Sequence, residues 1–182
     1  DHRDLHSFPT RRSSDLHLRG QAGQRVILRS DPSPAARKAF YGQSKHWGAI
    51  IAKHAADSII IEHTDISGGS FGPDRELYFA TISAYGSQVH IDHSTVSNGK
   101  MPLFATGGSM YIGHSEFHTH ISCNGFISLY NMEAPVVEHC VFRGNRAIDT
   151  DAIDLKGIAN GIIRYNHIYG FYGSNCDGID PR

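Results

Sequence analysis

The chain predicts an all-β solenoid, in which short strands return once per coil and stack in parallel. Three observations carry this. First, one phrase recurs five times: apolar, any, His or Tyr, small polar, any, apolar. The copies are Ile61-Glu62-His63-Thr64-Asp65-Ile66, Ile91-Asp92-His93-Ser94-Thr95-Val96, Ile112-Gly113-His114-Ser115-Glu116-Phe117, Val137-Glu138-His139-Cys140-Val141-Phe142 and Ile163-Arg164-Tyr165-Asn166-His167-Ile168. Their starts lie 30, 21, 25 and 26 residues apart, and β-type patterning with a period in the twenties marks stacked rungs. Second, another apolar column precedes the phrase in each coil, at Ile50, Ile82, Phe104, Ile127, Ile153 and Ile179. Third, no stretch carries helical periodicity, while Gly68-Gly69, Asn98-Gly99, Gly144-Asn145 and Gly170 punctuate the strands.

Residues 1–16 match the in-frame translation of a common sequencing-adapter oligonucleotide. They read as an adapter-derived artefact, not part of the fold. Residues 17–46 read as a lead-in coil with a loop: Arg25-Val26-Ile27-Leu28 is a strand, and Asp31-Pro32-Ser33-Pro34 a loop. Residues 47–182 read as the coils proper, about five to six of them, with an insertion near Gly72-Pro73-Asp74. Stacking puts Ile61, Ile91, Ile112, Val137 and Ile163 in one inward column and Ile66, Val96, Phe117, Phe142 and Ile168 in another. The slot Thr64, Ser94, Ser115, Cys140, Asn166 belongs at an inward corner, where a small polar group can bond the bend or the neighbouring coil. The chain is expected to be a fragment of a longer protein, truncated at its C-terminal end inside a recurring phrase.

The net charge is −1 with no basic stripe, which argues against nucleic acid as partner. No apolar run is long enough for a membrane helix. The three cysteines form no metal-type spacing, and Cys140 reads as packing within its repeat slot.

Ile91-Asp92-His93-Ser94, Asp151-Ala152-Ile153-Asp154 and Asn160-Gly161-Ile162-Ile163-Arg164-Tyr165-Asn166-His167-Ile168-Tyr169 resemble the repeats of right-handed parallel β-helices of the pectate-lyase-like kind. With Ile82-Ser83-Ala84-Tyr85 and Asp177-Gly178-Ile179-Asp180 at coil starts, the run from Trp47 more narrowly resembles the β-helix module beside CotH-type (spore coat protein H) kinase-like domains. That resemblance implies a large bacterial surface or secreted protein, and so an extracellular or cell-surface location.

The acidic set is the sharpest candidate site. Asp151 and Asp154 precede Asp177 and Asp180 by 26 residues, one coil, so the second pair should stack on the first. Four crowded carboxylates call for a cation, a proton or a base. Three readings stay open: turn caps and solvent-facing groups, a Ca²⁺ site at Asp151, Asp154, Asp177 and Asp180, or a catalytic pair drawn from Asp151, Asp154 and Asp177. Asn175-Cys176-Asp177-Gly178 also resembles the polygalacturonase Asn-x-Asp-Gly motif, which implies a catalytic Asp177. The near-duplicate Asp149-Thr150-Asp151-Ala152 one coil earlier favours repeat grammar instead. Ile91-Asp92-His93-Ser94 resembles the Trp-Ile-Asp-His phrase of pectate lyases, yet it too has variants in other coils. The column His63, His93, His114, His139 reads as a half-buried ladder beside the corner, or as a transition-metal chelator if exposed.

Two functions follow. One is a non-catalytic structural module, or one binding carbohydrate or a partner (polysaccharide or neighbouring domains of the parent). The other is a carbohydrate-active enzyme, a uronan lyase or polygalacturonase-like hydrolase, with Lys156, Arg146, Tyr130 and Tyr85 lining its cleft.

Overall fold

The computed structural model describes residues 15–29, 47–54, 56–70, 79–120 and 123–181. The Asp31–Pro34 loop and the insertion near Gly72 lie outside them. The chain starts with β1 (Asp15–Arg19) and β2 (Val26–Arg29). Five three-strand coils follow: β3 (Ile50–Ala52), β4 (Ser58–Glu62), β5 (Thr64–Ser67); β6 (Ile82–Tyr85), β7 (Gln88–Asp92), β8 (Thr95–Ser97); β9 (Leu103–Thr106), β10 (Ser109–Gly113), β11 (Glu116–His118); β12 (Gly125–Tyr130), β13 (Glu133–Glu138), β14 (Val141–Arg143); β15 (Asp151–Lys156), β16 (Ile162–Arg164), β17 (His167–Tyr169). The lone strand β18 (Ile179–Pro181) comes last. The described residues contain no helix, and so none long and apolar enough to cross a membrane.

The strands form three parallel six-stranded sheets: sheet 1 is β1-β4-β7-β10-β13-β16, sheet 2 is β2-β5-β8-β11-β14-β17 and sheet 3 is β3-β6-β9-β12-β15-β18. Every neighbour in a sheet is the same strand one coil away. The rest of the coil supplies the crossover that parallel pairing needs, and the hand is right. The result is a right-handed parallel β-helix.

The predicted inward columns are in register. Leu18, Ile61, Ile91, Ile112, Val137 and Ile163 pair in sequence through sheet 1. Leu28, Ile66, Val96, Phe117, Phe142 and Ile168 do so through sheet 2. Sheet 3 adds Ile50, Ile82, Leu103, Ile127, Ile153 and Ile179, so Leu103 rather than Phe104 faces inward. Most members from the middle coils are fully buried and form one continuous core.

Two features refine the sequence reading. Each coil has three strands, and the recurring phrase is not one of them: it straddles a bend, its first half ending sheet 1 and its second half opening sheet 2. The lead-in coil also starts earlier than residue 17. Asp15 and Leu16 pair with Ser58 and Ile59, and Ser58 Oγ donates to Asp15 Oδ1 at 2.7 Å. Residues 1–14 lie outside the described residues.

Candidate functional site

The bend explains the phrase. His63, His93, His114, His139 and Tyr165 have φ of 46°, 49°, 44°, 54° and 57°, the left-handed region. Histidine is among the side chains enriched there. The next residue fixes the bend from inside. Thr64 Oγ1, Ser94 Oγ and Ser115 Oγ donate to the carbonyls of Glu62, Asp92 and Gly113 at 2.9, 2.7 and 2.6 Å. The two serine oxygens also accept from the coil before: the Thr64 amide donates to Ser94 Oγ, and the Ser94 amide to Ser115 Oγ, both at 3.1 Å. The Cys140 amide donates to Asn166 Oδ1 at 2.8 Å. Cys140 holds its slot with Sγ bonded to the Glu138 carbonyl at 3.2 Å, and burial pushes the thiol up to about 11. It is a packing residue, not a reactive one.

Outside this corner the rings stack: His63 on His93 at 4.8 Å, His93 on His114 at 4.6 Å, His114 on His139 at 5.0 Å and His139 on Tyr165 at 4.9 Å between centroids. The ladder is more open than expected. The side chains of His93 and His114 are 47% and 45% exposed. The backbone conformation, not ring burial, is what recurs. Asp92 bridges two of these rings. One oxygen lies 3.0 Å from His93 Nδ1 and the other 3.0 Å from His114 Nδ1, and these contacts hold its carboxyl below the ordinary range against the effect of its partial burial.

The acidic set assembles in sheet 3. Asp154 and Asp180 are register partners, as the spacing predicts, and the Asp177 amide donates to Asp151 Oδ1 at 2.7 Å. Asp151, Asp154 and Asp180 are buried; Asp177 is exposed. Burial raises the Asp151 carboxyl; the neighbouring charges of Asp180, Asp177 and Asp154 add to this, against the Asp177 amide bond. Asp154 Oδ2 accepts from the Tyr130 hydroxyl at 2.8 Å and lies 3.4 Å from Lys156 Nζ. Lys156 in turn donates to the Tyr130 oxygen at 2.9 Å. Asp154 Oδ1 and Ser128 Oγ, register neighbours, are buried without a hydrogen-bond partner. Asn124, Asp149, Asp151, Asp154 and Lys156 line a small polar pocket here.

Tyr85, Tyr130 and Lys156 share one outward column, joined through Thr106, as the cleft reading requires. Arg146 lies instead in the exposed link between β14 and β15. Asn124 was not legible in the sequence, because it stands before β12 in no recurring phrase.

Asp151 and Asp154 each give one oxygen to a protein donor, and the Lys156 ammonium stands 3.4 Å from Asp154. Among the described residues the one set of three or more acidic, imidazole or thiol groups whose ligand atoms converge is Asp92, His93 and His114.

A third feature is a shallow groove on the outer face of sheet 1, lined by Ser58, Ile60, Gln88, His90, Ser109 and Tyr111 among others. Ser58, Gln88 and Ser109 are register partners, and the His90 and Tyr111 rings stack at 5.0 Å.

No family profile, curated protein or solved structure compared with this chain matches it. The class is therefore given by the fold itself: a right-handed parallel β-helix repeat protein, all-β, with three in-register sheets.

Proposed function

We propose that this chain is a non-catalytic β-helix module of a larger bacterial surface or secreted protein, of the kind found beside CotH-type domains, and that it works outside the cell. Its sheet 1 groove takes a polysaccharide. The observation that carries this is the repetition of exposed polar groups on a rigid face. Ser58, Gln88 and Ser109 stand one rung apart beside His90 and Tyr111, so a ligand that itself repeats meets equivalent donors and acceptors coil after coil. The catalytic-looking histidine phrases support the same reading, since each one serves the bend. Affinity electrophoresis against a panel of neutral and uronate-rich polysaccharides tests it. Retardation by at least one of them, lost in a Gln88→Ala, His90→Ala double variant, is expected. No retardation by any member would sink the binding reading.

A second reading, a glycan-cleaving enzyme, is favoured by one specific observation. Asp151 is a buried carboxyl raised above its ordinary value beside Asp154, which accepts from the Tyr130 hydroxyl and lies 3.4 Å from the Lys156 ammonium. Two carboxyls with divergent environments are the usual acid–base arrangement of glycosidases. Reducing-sugar release, or an absorbance rise from unsaturated uronates, that disappears in Asp154→Ala would establish it.

A further inference from the structure

We propose that Asp92, His93 and His114 form a binding site for one divalent transition-metal ion, of the zinc or copper kind, on the corner between sheets 1 and 2. The argument begins where the repeat breaks. Glu62, Asp92, Gly113, Glu138 and Arg164 occupy one outward column, the last position before the bend. Two of its acids are paired with arginine: Glu62 with Arg19 at 3.3 Å and Glu138 with Arg164 at 2.6 Å. Asp92 is paired with imidazoles instead, and the position above it is a glycine. A Cβ on Gly113 would stand 2.9 Å from Asp92 Oδ1 and would collide with the Tyr111 hydroxyl. The missing side chain is what lets Asp92 reach up to His114.

The bend supplies the rest of the geometry. Its left-handed backbone sets His93 and His114 one rung apart, with rings 19° from parallel and both Nδ1 atoms turned to the same carboxylate. The three ligand atoms lie within 4.8 Å of one another. Bonds of about 2.0–2.1 Å place the ligand atoms of a tetrahedral site about 3.3 Å apart. The 3.0 Å oxygen–nitrogen contacts here need only a small opening to reach that spacing. Two imidazoles and one carboxylate suit Zn²⁺ or Cu²⁺, whereas Ca²⁺ and Mg²⁺ favour oxygen alone. The rings are open to solvent, which gives the ion a path and leaves coordination positions for water. His63 lies tilted against the outer face of His93, and His139 stacks on that of His114; neither touches Asp92 in a hydrogen bond or ion pair. Binding displaces protons from the imidazoles, so affinity must fall in acid.

The test is a calorimetric titration of the whole chain with zinc chloride and, separately, copper chloride in a non-chelating buffer, with electron paramagnetic resonance of the copper form. One ion per chain and a spectrum showing nitrogen ligands are expected. Asp92→Asn and His114→Asn keep an acceptor and a left-handed-tolerant residue respectively. Each should weaken binding by at least about tenfold, the scale seen when groups supporting a metal site are lost. Gly113→Glu, which restores the repeat's acid but fills the gap, should do the same; circular dichroism reports whether these variants fold, and the two Asn variants carry the test if it does not. His63→Asn and His139→Asn should bind like the parent. Absence of binding of either ion at micromolar concentration would overturn the proposal. So would affinity unchanged in Asp92→Asn and His114→Asn, or an equal loss in the His63 and His139 variants, which would mark the ladder as a diffuse imidazole surface.

Discussion

At the scale of single residues, the corner histidines are held by their backbone. A left-handed conformation costs an ordinary L-residue about 1–2 kcal/mol, and β-branched side chains tolerate it least. His114→Val should therefore be less stable than His114→Asn by about 1–2 kcal/mol, read by urea denaturation. Equal stabilities would show that ring stacking, not φ, selects histidine. The histidine whose burial makes stability depend on pH is His118. His118 is largely buried on β11; burial, with help from the nearby Arg143, pushes its pKa below the ordinary 6.5. The unfolded chain then binds the proton more tightly than the folded one, so stability is complete above pH 6.5 and declines as pH falls below it. His118→Gln should flatten the unfolding midpoint between pH 7.5 and 5.5 (roughly one unit either side of the ordinary value). A variant as acid-sensitive as the parent would show that His118 does not carry the acid response. Asp92 acts lower down. Its carboxyl is depressed, so its contribution is present above its ordinary 3.8 and is lost as pH falls through the folded value.

At the scale of elements, each strand is stabilised twice, by apolar stacking inside and by the polar slot at the bend. Phe117 and Phe142 are fully buried and their rings stack at 5.3 Å and 12°. Phe142→Ala should cost about 3–5 kcal/mol through lost contact and the cavity left. Ser94→Ala removes far fewer atoms, yet it leaves the buried Thr64 amide without its partner and takes one of two donors from the Asp92 carbonyl, which keeps the His63 amide. It should cost about 1–3 kcal/mol. Thermal or chemical denaturation ranks the two, and a neutral Ser94→Ala would mean that the bend bonds do not hold coils together.

At the scale of the whole molecule, the core is a stack whose ends differ from its middle. β16, β17 and β18 each have one hydrogen-bonded neighbour. Ile163 and Ile168, the inward members of β16 and β17, are only partly buried and Ile179 on β18 is 42% exposed, whereas Ile153 and Phe142 one coil earlier are fully covered. Unpaired strand edges beside an uncovered apolar cross-section are templates for association. Analytical ultracentrifugation should show concentration-dependent, end-to-end oligomers of this chain. A monomer over the full range would mean that the end rungs are covered by other parts of it.

The amino-acid order by itself determined the period, the all-β class, the inward columns and the small polar slot, because stacking in register forces equivalent residues to share one environment. It also located Asp154 under Asp180, since one coil's length is a count along the chain. Three things needed the folded molecule. The corner at the small polar slot was legible, but the left-handed φ of the histidine before it, and with it the division of the phrase between strands of two sheets, needed the folded chain. Among the four acids, burial and the bonds from Tyr130 and Lys156 separated Asp151 from Asp154, and those bonds depend on side-chain reach across coils. Finally, Gly113 is one small residue in a chain with 19 glycines. Its meaning lies in the gap it leaves beside Asp92, a distance between neighbouring rungs that no linear spacing records.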